Sequence, residues 1–461
     1  MSLERGKRQM TLWELLREDR GEAPNVSQSD EPRSATNNAM LPGTAHLLEV
    51  MLERDNLIAA LKRVKQNGGS PGPDGMTTDE LLPYLREHWE AIKSSLLSGT
   101  YRPTPVLQCS IPKVGGGRRD LGIPTALDRF VQQALLQVLQ PLFDPTFSDH
   151  SYGFRPKRRG HDAVRRAQSY VEAGYRYVVD LDVEKFFDRV NHDVLMNRLS
   201  RRIEDRRVLR LIRHYLESGV MVNGVVQERH AGTPQGGPLS PLLANVLLDE
   251  IDQELEKRGH AFVRYADDLN VYCKSKRAGQ RIYAHLITLL GRLRLQVNES
   301  KSTVASVWVR SFLGFGFWPG PKGRARIRIE KKRISRFRST VRTMTKRSRG
   351  RSLDYVVKEL QSYLQGWSGY FRLANTPGVF RDLDAWVRHR LRALHLFQWK
   401  RGRTTFRELR ARGASVTLAA EIARGTRRWW WNASKRLHHV LTNSHFAELG
   451  LPSLAKLTST R

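Results

Sequence analysis

The stretch FVRYADDLNVY, residues 262–272, sets two adjacent acids, Asp267 and Asp268, between segments that alternate like half-buried strands. Adjacent carboxylates repel each other, and desolvating them is costly unless something positive lies beside them. The pattern predicts strand, tight turn, strand, with both acids at the bend and a positive partner still to be found. Upstream, VVDLDVEKFFD carries Asp180 and Asp182 two residues apart, on one face of a strand expected over 175–183. Strand-like and helical segments mix through this middle third, which predicts an α+β fold with an antiparallel strand pair at the acids.

Carboxylate oxygens around an open site suit Mg2+, and no nearby His or Cys competes to favour zinc. Two such ions can activate an attacking hydroxyl and stabilise a leaving pyrophosphate. The plainer alternative is that these acids are turn residues, since Asp is common in hairpin turns. Nothing in the spacing decides whether the acids meet.

Charge narrows the partners. The chain has 461 residues, with 78 Lys and Arg against 46 Asp and Glu, a net +32. That excess self-repels in a compact fold and points to a polyanion, with nucleic acid first and a membrane surface second. Two distant cysteines, Cys109 and Cys273, exclude a disulfide framework and a cysteine zinc site, and they suit a reducing compartment. The N-terminus lacks a signal-peptide core and no long apolar run occurs, so a soluble cytoplasmic protein without a membrane span is expected.

Residues 1–43 are polar and read as a flexible arm, with one short helix at MTLWELLRE. Helical patterns follow to about 165, broken by Gly/Pro-rich loops at NGGSPGPDG and PKVGGGRRDLGIP. In RRVLRLIRHYLESG, Val208, Leu211, Ile212, Tyr215 and Leu216 recur at helical spacing. LSPLLANVLLDEIDQELEKRG reads as a long helix, and SFLGFGFWPG as a small hairpin. Residues 321–350 hold 13 Lys or Arg and one acid, Glu330, and the chain beyond is read as a separate helical, basic domain without strands.

Taken together, RYADD, DLDVEKFFD and GTPQGGPLSPLLANVLLDEID resemble the motifs of reverse transcriptases, in the wording of bacterial group II intron reverse transcriptase/maturases. NGGSPGPDGM, IPKVGGGRRDLGIPTALDRFVQQAL, FSDHSYGFRPKRRGHDAV, LQVNESKS and FLGFGF follow in the same order, so the resemblance covers roughly residues 45–455. It implies a right-hand polymerase: fingers over 44–165, a palm with an antiparallel sheet over 166–320, then an all-α basic thumb over 321–400 and the rest of the maturase domain over 401–461. The family's metal motif, an Asp followed five positions on by an aromatic, matches Asp182 and Phe187, which leaves Asp180 a structural role. Asp182, Asp267 and Asp268, with the Val183 backbone carbonyl, are thereby the implied ligands of two Mg2+ ions. Phe187 is implied to select dNTPs by its contact with the sugar, while Phe186 reads as core.

The same resemblance implies that Lys113 and Arg119 clamp the triphosphate and that Gln235 and Gly236 face the nascent base pair and template. It places Lys301 near the leaving pyrophosphate as a general acid. Phe312, Leu313 and Gly314 match the primer grip. Read without the family, these are a solvated basic loop, a pre-helix loop, a surface salt bridge and an ordinary hairpin. Lys331, Lys332, Arg333, Arg336, Arg427 and Arg428 are the expected RNA contacts. Trp367, Tyr370, Trp386, Trp399 and Trp429–Trp431 are candidates for stacking on bases, though most read better as core.

The implied partners are intron RNA, an RNA template with its DNA primer, target DNA and dNTPs. No cysteine follows Cys273, unlike members with a C-terminal nuclease, so the compact class C type without second-strand cleavage is expected. Two other readings remain: a non-catalytic RNA-binding splicing cofactor, and a host-adapted relative in DNA repair or defence.

Overall fold

The computed structural model describes residues 43–459 except 113–116, 223, 228–230 and 234–235. The expected N-terminal helix, Lys113 and Gln235 lie outside the described residues. In chain order the strands are Val106–Pro112 (β1), Arg118–Ile123 (β2), Tyr177–Leu181 (β3), Val220–Val222 (β4), Val225–Gln227 (β5), Ala261–Tyr265 (β6), Asp268–Cys273 (β7), Thr303–Ser306 (β8), Ser311–Phe312 (β9), Phe315–Pro319 (β10) and Ala325–Ile329 (β11). They form three sheets, ordered β2–β1–β4–β5, β6–β7–β3–β8 and β11–β10–β9. This is an α+β architecture. The described chain divides into two compact units, one of residues 43–159, 179–271 and 280–303, the other of 160–178, 272–279 and 304–459.

In the first unit, helix Arg206–Glu217 buries Val208, Leu211, Ile212, Tyr215 and Leu216, the same five positions that the helical spacing predicts. Helix Ser240–Lys257 is enclosed along most of its length, and Asn245 and Asp252 are both fully buried among its leucines. Helix Ala126–Phe143 starts at Thr125, whose hydroxyl accepts from Asp128 N at 3.0 Å. Asp128 in turn accepts from Tyr101 OH at 2.8 Å and Thr104 N at 3.1 Å. Burial outweighs these bonds and pushes its carboxyl up. Arg129, next along the helix, holds the NGGSPGPDG loop by donating to Gly68 O at 3.1 Å and Ser70 O at 2.9 Å.

PKVGGGRRDLGIP, expected to be a loop, instead lies largely in a hairpin: β1 and β2 pair antiparallel, with Ile111 opposite Arg119 and Pro112 opposite Arg118. The flanking residues are strand-forming, and 113–116 lie outside the described residues. Cys109 is exposed on β1, whereas Cys273 is buried at the end of β7. Burial pushes the Cys273 thiol up to about 11.

The second unit contains the sheet of β9–β11 and the helices Lys331–Met344, Leu353–Phe371 and Pro377–Gln398, followed by shorter ones. Its core is aromatic: Trp367 lies 4.6 Å from Phe337, 4.8 Å from Phe371 and 5.9 Å from Phe380 between ring centroids. Asp384 ties down the C-terminal helix, accepting from Ser453 Oγ at 2.7 Å and Leu454 N at 2.9 Å. One expectation is corrected here. The basic third is not all-α, because ARIRI forms β11, antiparallel to β10. Its alternation of buried Ala and Ile with exposed Arg is a strand pattern that the density of charge conceals. Among the described residues no helix is long and apolar enough to cross a membrane.

Candidate active site

Asp182 follows the last residue of β3. Its backbone is clamped from the NESKS segment: Asp182 N donates to Ser302 Oγ at 2.9 Å, and Asp182 O accepts from Asn298 N at 2.8 Å. Val183, 5% exposed, forms an antiparallel bridge with Val297. Lys301 Nζ lies 3.1 Å from Asp182 Oδ2, so one positive partner of the acids is a side chain of this chain. Asp182 keeps 30% of its side chain exposed, open enough for a ligand to reach.

Asp267 and Asp268 sit where β6 turns into β7, Asp267 half-buried and Asp268 exposed. β7 lies beside β3 in the sheet. With the buried Asn270 amide turned so that its nitrogen meets acceptors, it donates to Asp180 Oδ1 at 3.0 Å. Asp180 is thus engaged across the strand pair. Two residues on from that contact, Asp182 and Asp268 come to the same end of neighbouring strands.

The bend itself depends on Ala266, buried and left-handed at φ 58°. A non-glycine residue there is sterically costly, and the packing beneath compensates. Arg264, 1% exposed, donates to Ala266 O at 2.9 Å, to Asn245 Oδ1 at 2.9 Å and to both oxygens of Asp252. Asn245 Nδ2 donates to Gly153 O at 2.9 Å, and a Cβ at Gly153 would overlap the Ala266 nitrogen. Sequence reasoning missed this support: Arg264 and Asp252 lie on different elements, and their pairing exists only in the fold.

Phe186 and Phe187 are both buried, at 2% and 9% exposure, in an edge-to-face pair 5.1 Å apart. Phe187 O accepts from Thr233 N at 2.7 Å, which ties the start of the GTPQGGP loop to this segment. His192 Nε2 lies 2.8 Å from Gly232 O, and burial holds its pKa below the usual imidazole range. Gly236, at φ 138°, lies so close to the Gly122 carbonyl of β2 that a side chain would collide with it. Arg119 takes its place in β2.

In the second unit Leu313 and Gly314 form the two-residue turn between β9 and β10, with φ 52° and 82°. Two successive positive φ values mark a type I′ hairpin. Tyr370 OH donates to Leu313 O at 2.8 Å, and Phe312 is buried. Lys331, Lys332, Arg333 and Arg336 are exposed along the first turns of helix Lys331–Met344; Arg427 and Arg428 are exposed just before helix Trp429–Lys435. Trp399 is buried, whereas Trp430 and Trp431 are 46% and 44% exposed. Trp430 stacks on His389 at 3.8 Å.

A family model for reverse transcriptase (RNA-dependent DNA polymerase) matches residues 111–317, and one for the group II intron maturase-specific domain matches residues 334–413. Protein YkfC of Escherichia coli (strain K12) is 31% identical over 302 residues, 57% of this chain and 79% of that protein. The chain belongs to the group II intron reverse transcriptase/maturase family. Group II intron-encoded protein LtrA of Lactococcus lactis is 35% identical over 208 residues, 45% of this chain and 34% of LtrA, so the match spans about a third of that relative's length. A chain of a solved partial Cas6-RT-Cas1–Cas2 complex matches 53% of this chain and 42% of that one, at 26% identity and a TM-score of 0.35.

Reverse transcriptases of this family generally use divalent metal ions. The donors on offer here, the carboxylates of Asp182, Asp267 and Asp268, are the hard oxygens that such ions take. Among the described residues no three Asp, Glu, His or Cys side chains are gathered closely enough to form a metal site as they stand.

Proposed function

We propose that this family member is an active RNA-directed DNA polymerase that also binds intron RNA as a splicing maturase and supports intron mobility by target-primed reverse transcription. The observation that carries the reading is the strand pairing that brings Asp182 and Asp268 to one end of β3 and β7, with Asp267 in the braced bend beside them. Asp182, Asp267 and Asp268, with the Val183 carbonyl, would hold two Mg2+ ions. Bound there, such ions lower the pKa of an attacking hydroxyl and neutralise a departing pyrophosphate.

The chain's own residues bind and orient the reactants. Lys113 and Arg119 take the triphosphate, Gln235 and Gly236 face the template, and the Phe187 ring sits under the incoming sugar. Lys301, paired with Asp182 in the structure, would give a proton to the leaving pyrophosphate. The Phe312–Gly314 turn steadies the primer end. The exposed bases at 331–336 and at Arg427 and Arg428 hold RNA, as the charge supports. Residues 44–165, 166–320 and 321–400 correspond on this reading to fingers, palm and thumb, with the rest of the maturase domain at 401–461. The protein would work in the cytoplasm, bound to RNA and DNA.

Primer extension with dNTPs on an RNA template in Mg2+ tests the reading. The wild type is expected to extend, and the Asp267→Ala/Asp268→Ala double variant to lose extension while still binding RNA. Equal extension by both proteins would sink the proposal.

A further inference from the structure

We infer that Arg264 is a positioning residue for polymerisation, holding the bend that presents Asp267 and Asp268 through a bond to the carbonyl between them and β6. The inference rests on the polymerase reading above. Buried charge is costly, and a pair such as Arg264–Asp252 is weak evidence for stability by itself. Hydrophobic residues of similar volume fill such a space as well or better. What they cannot replace is the donor aimed at Ala266 O, 2.9 Å from the guanidinium.

The geometry shows a guanidinium used as a distributor. Asp252 fixes it from one side, Asn245 Oδ1 accepts from the same nitrogen that reaches Ala266, and Asn245 Nδ2 passes the constraint on to Gly153 O. Gly153 lies against the Ala266 nitrogen. Both sides of the residue before Asp267 are therefore fixed, one by a hydrogen bond and one by contact. The main chain of Arg264 adds two more ties, Arg264 N to His150 O and Tyr152 N to Arg264 O, each at 2.9 Å. The left-handed turn is the conformation that so dense a set of contacts can enforce on an alanine.

The consequence is separable from stability. Arg264→Met with Asp252→Leu removes both charges together, and its fold is expected to survive because neither charge is left alone. Its melting temperature should fall by less than that of Arg264→Ala, which leaves Asp252 charged and alone, and its RNA affinity should stay near wild type. Its primer-extension rate at saturating dNTP should fall at least tenfold, with half-maximal activity moved to several-fold higher Mg2+, because the acids are no longer held in place.

Arg264→Lys is the second arm. It keeps a charge for Asp252 but, lacking the planar fork, cannot serve Asp252, Asn245 and Ala266 at once. The same rate loss and Mg2+ shift are expected, and this variant decides the matter should the double variant fail to fold. Wild-type rate and Mg2+ dependence in a folded variant would overturn the inference. A wild-type protein with no extension at all would instead overturn the polymerase reading, so the two failures are distinguishable.

Discussion

Two bends in this molecule make the same demand on the backbone and meet it by opposite means. At Ala266 the left-handed residue is enclosed and braced by a fully buried Arg–Asp pair. At Leu313–Gly314 the turn is held at its two carbonyls, by the Tyr370 hydroxyl on Leu313 O and by Glu330 N on Gly314 O at 3.0 Å, while Phe315 behind it packs 5.5 Å from Tyr370 and 5.2 Å from Phe371. The first solution is rigid and intolerant, since each polar partner is unpaired if another leaves. The second spreads its cost over apolar contact and tolerates loss of any one member. Rigid carboxylates suit the proposed metal ligation, and a hairpin backed by apolar packing suits the proposed primer grip.

The largest expected effect breaks the first bend. Arg264→Ala leaves Asp252 buried without its partner, and removing one member of a buried pair costs about 3–5 kcal/mol. Chemical denaturation should show that loss. Gly153→Ala pushes a methyl group into the Ala266 backbone, and a displacement near 1 Å at a reacting group can cost roughly a hundredfold in rate. Primer extension should drop by about that factor while RNA binding holds.

The corresponding change at the second bend is smaller. Tyr370→Phe removes one hydrogen bond from a half-exposed site, worth about 0.5–1.5 kcal/mol. It should weaken use of the primer end more than it lowers the maximal rate, as measured by titrating primer–template. If Tyr370→Phe proved as damaging as Arg264→Ala, the contrast between the bends would be wrong.

A further contrast lies in pH dependence, which runs in opposite directions in the two units. Burial, with the Asp252 charge adding to it, raises Asp249 to about 6. The folded state then keeps a proton that the unfolded chain loses near 4, so stability from this group is complete below about 4 and is lost as pH rises to about 6. In the second unit burial, followed by the Arg412 charge, lowers His395 to about 4. Its contribution is complete above about 6.5 and is lost as pH falls to about 4. Asp249→Asn should therefore gain stability relative to wild type only above pH 4, and His395→Gln only below 6.5, in melting curves taken across that range.

Much of the candidate site was legible because its signals are local. The alternation around Asp267 and Asp268 gave both strands and the bend, and the helical spacing of 208–216 gave a whole buried face. Asp182 and the bend come from segments some 85 residues apart, so only the family motif singled out Asp182 over Asp180. The Asn270–Asp180 contact supports the structural role expected of Asp180. β11 was missed because Arg at alternate positions reads as a charge run before it reads as a strand. Arg264 was missed for a deeper reason. In the sequence it is one arginine among many in a basic chain, and only enclosure by Asp252 and Asn245 distinguishes it.

Beside the metal that the acids imply, the fold sets one positive side chain against them, Lys301 on Asp182. The two cysteines offer a different kind of use. Cys273 is enclosed and keeps its proton to about pH 11, so a thiol-reactive dye at neutral pH has little thiolate to find there. Cys109 stands exposed on β1, paired with Leu121 in the β1–β2 hairpin. Of the two cysteines, Cys109 is thus the accessible handle for a fluorophore on this hairpin.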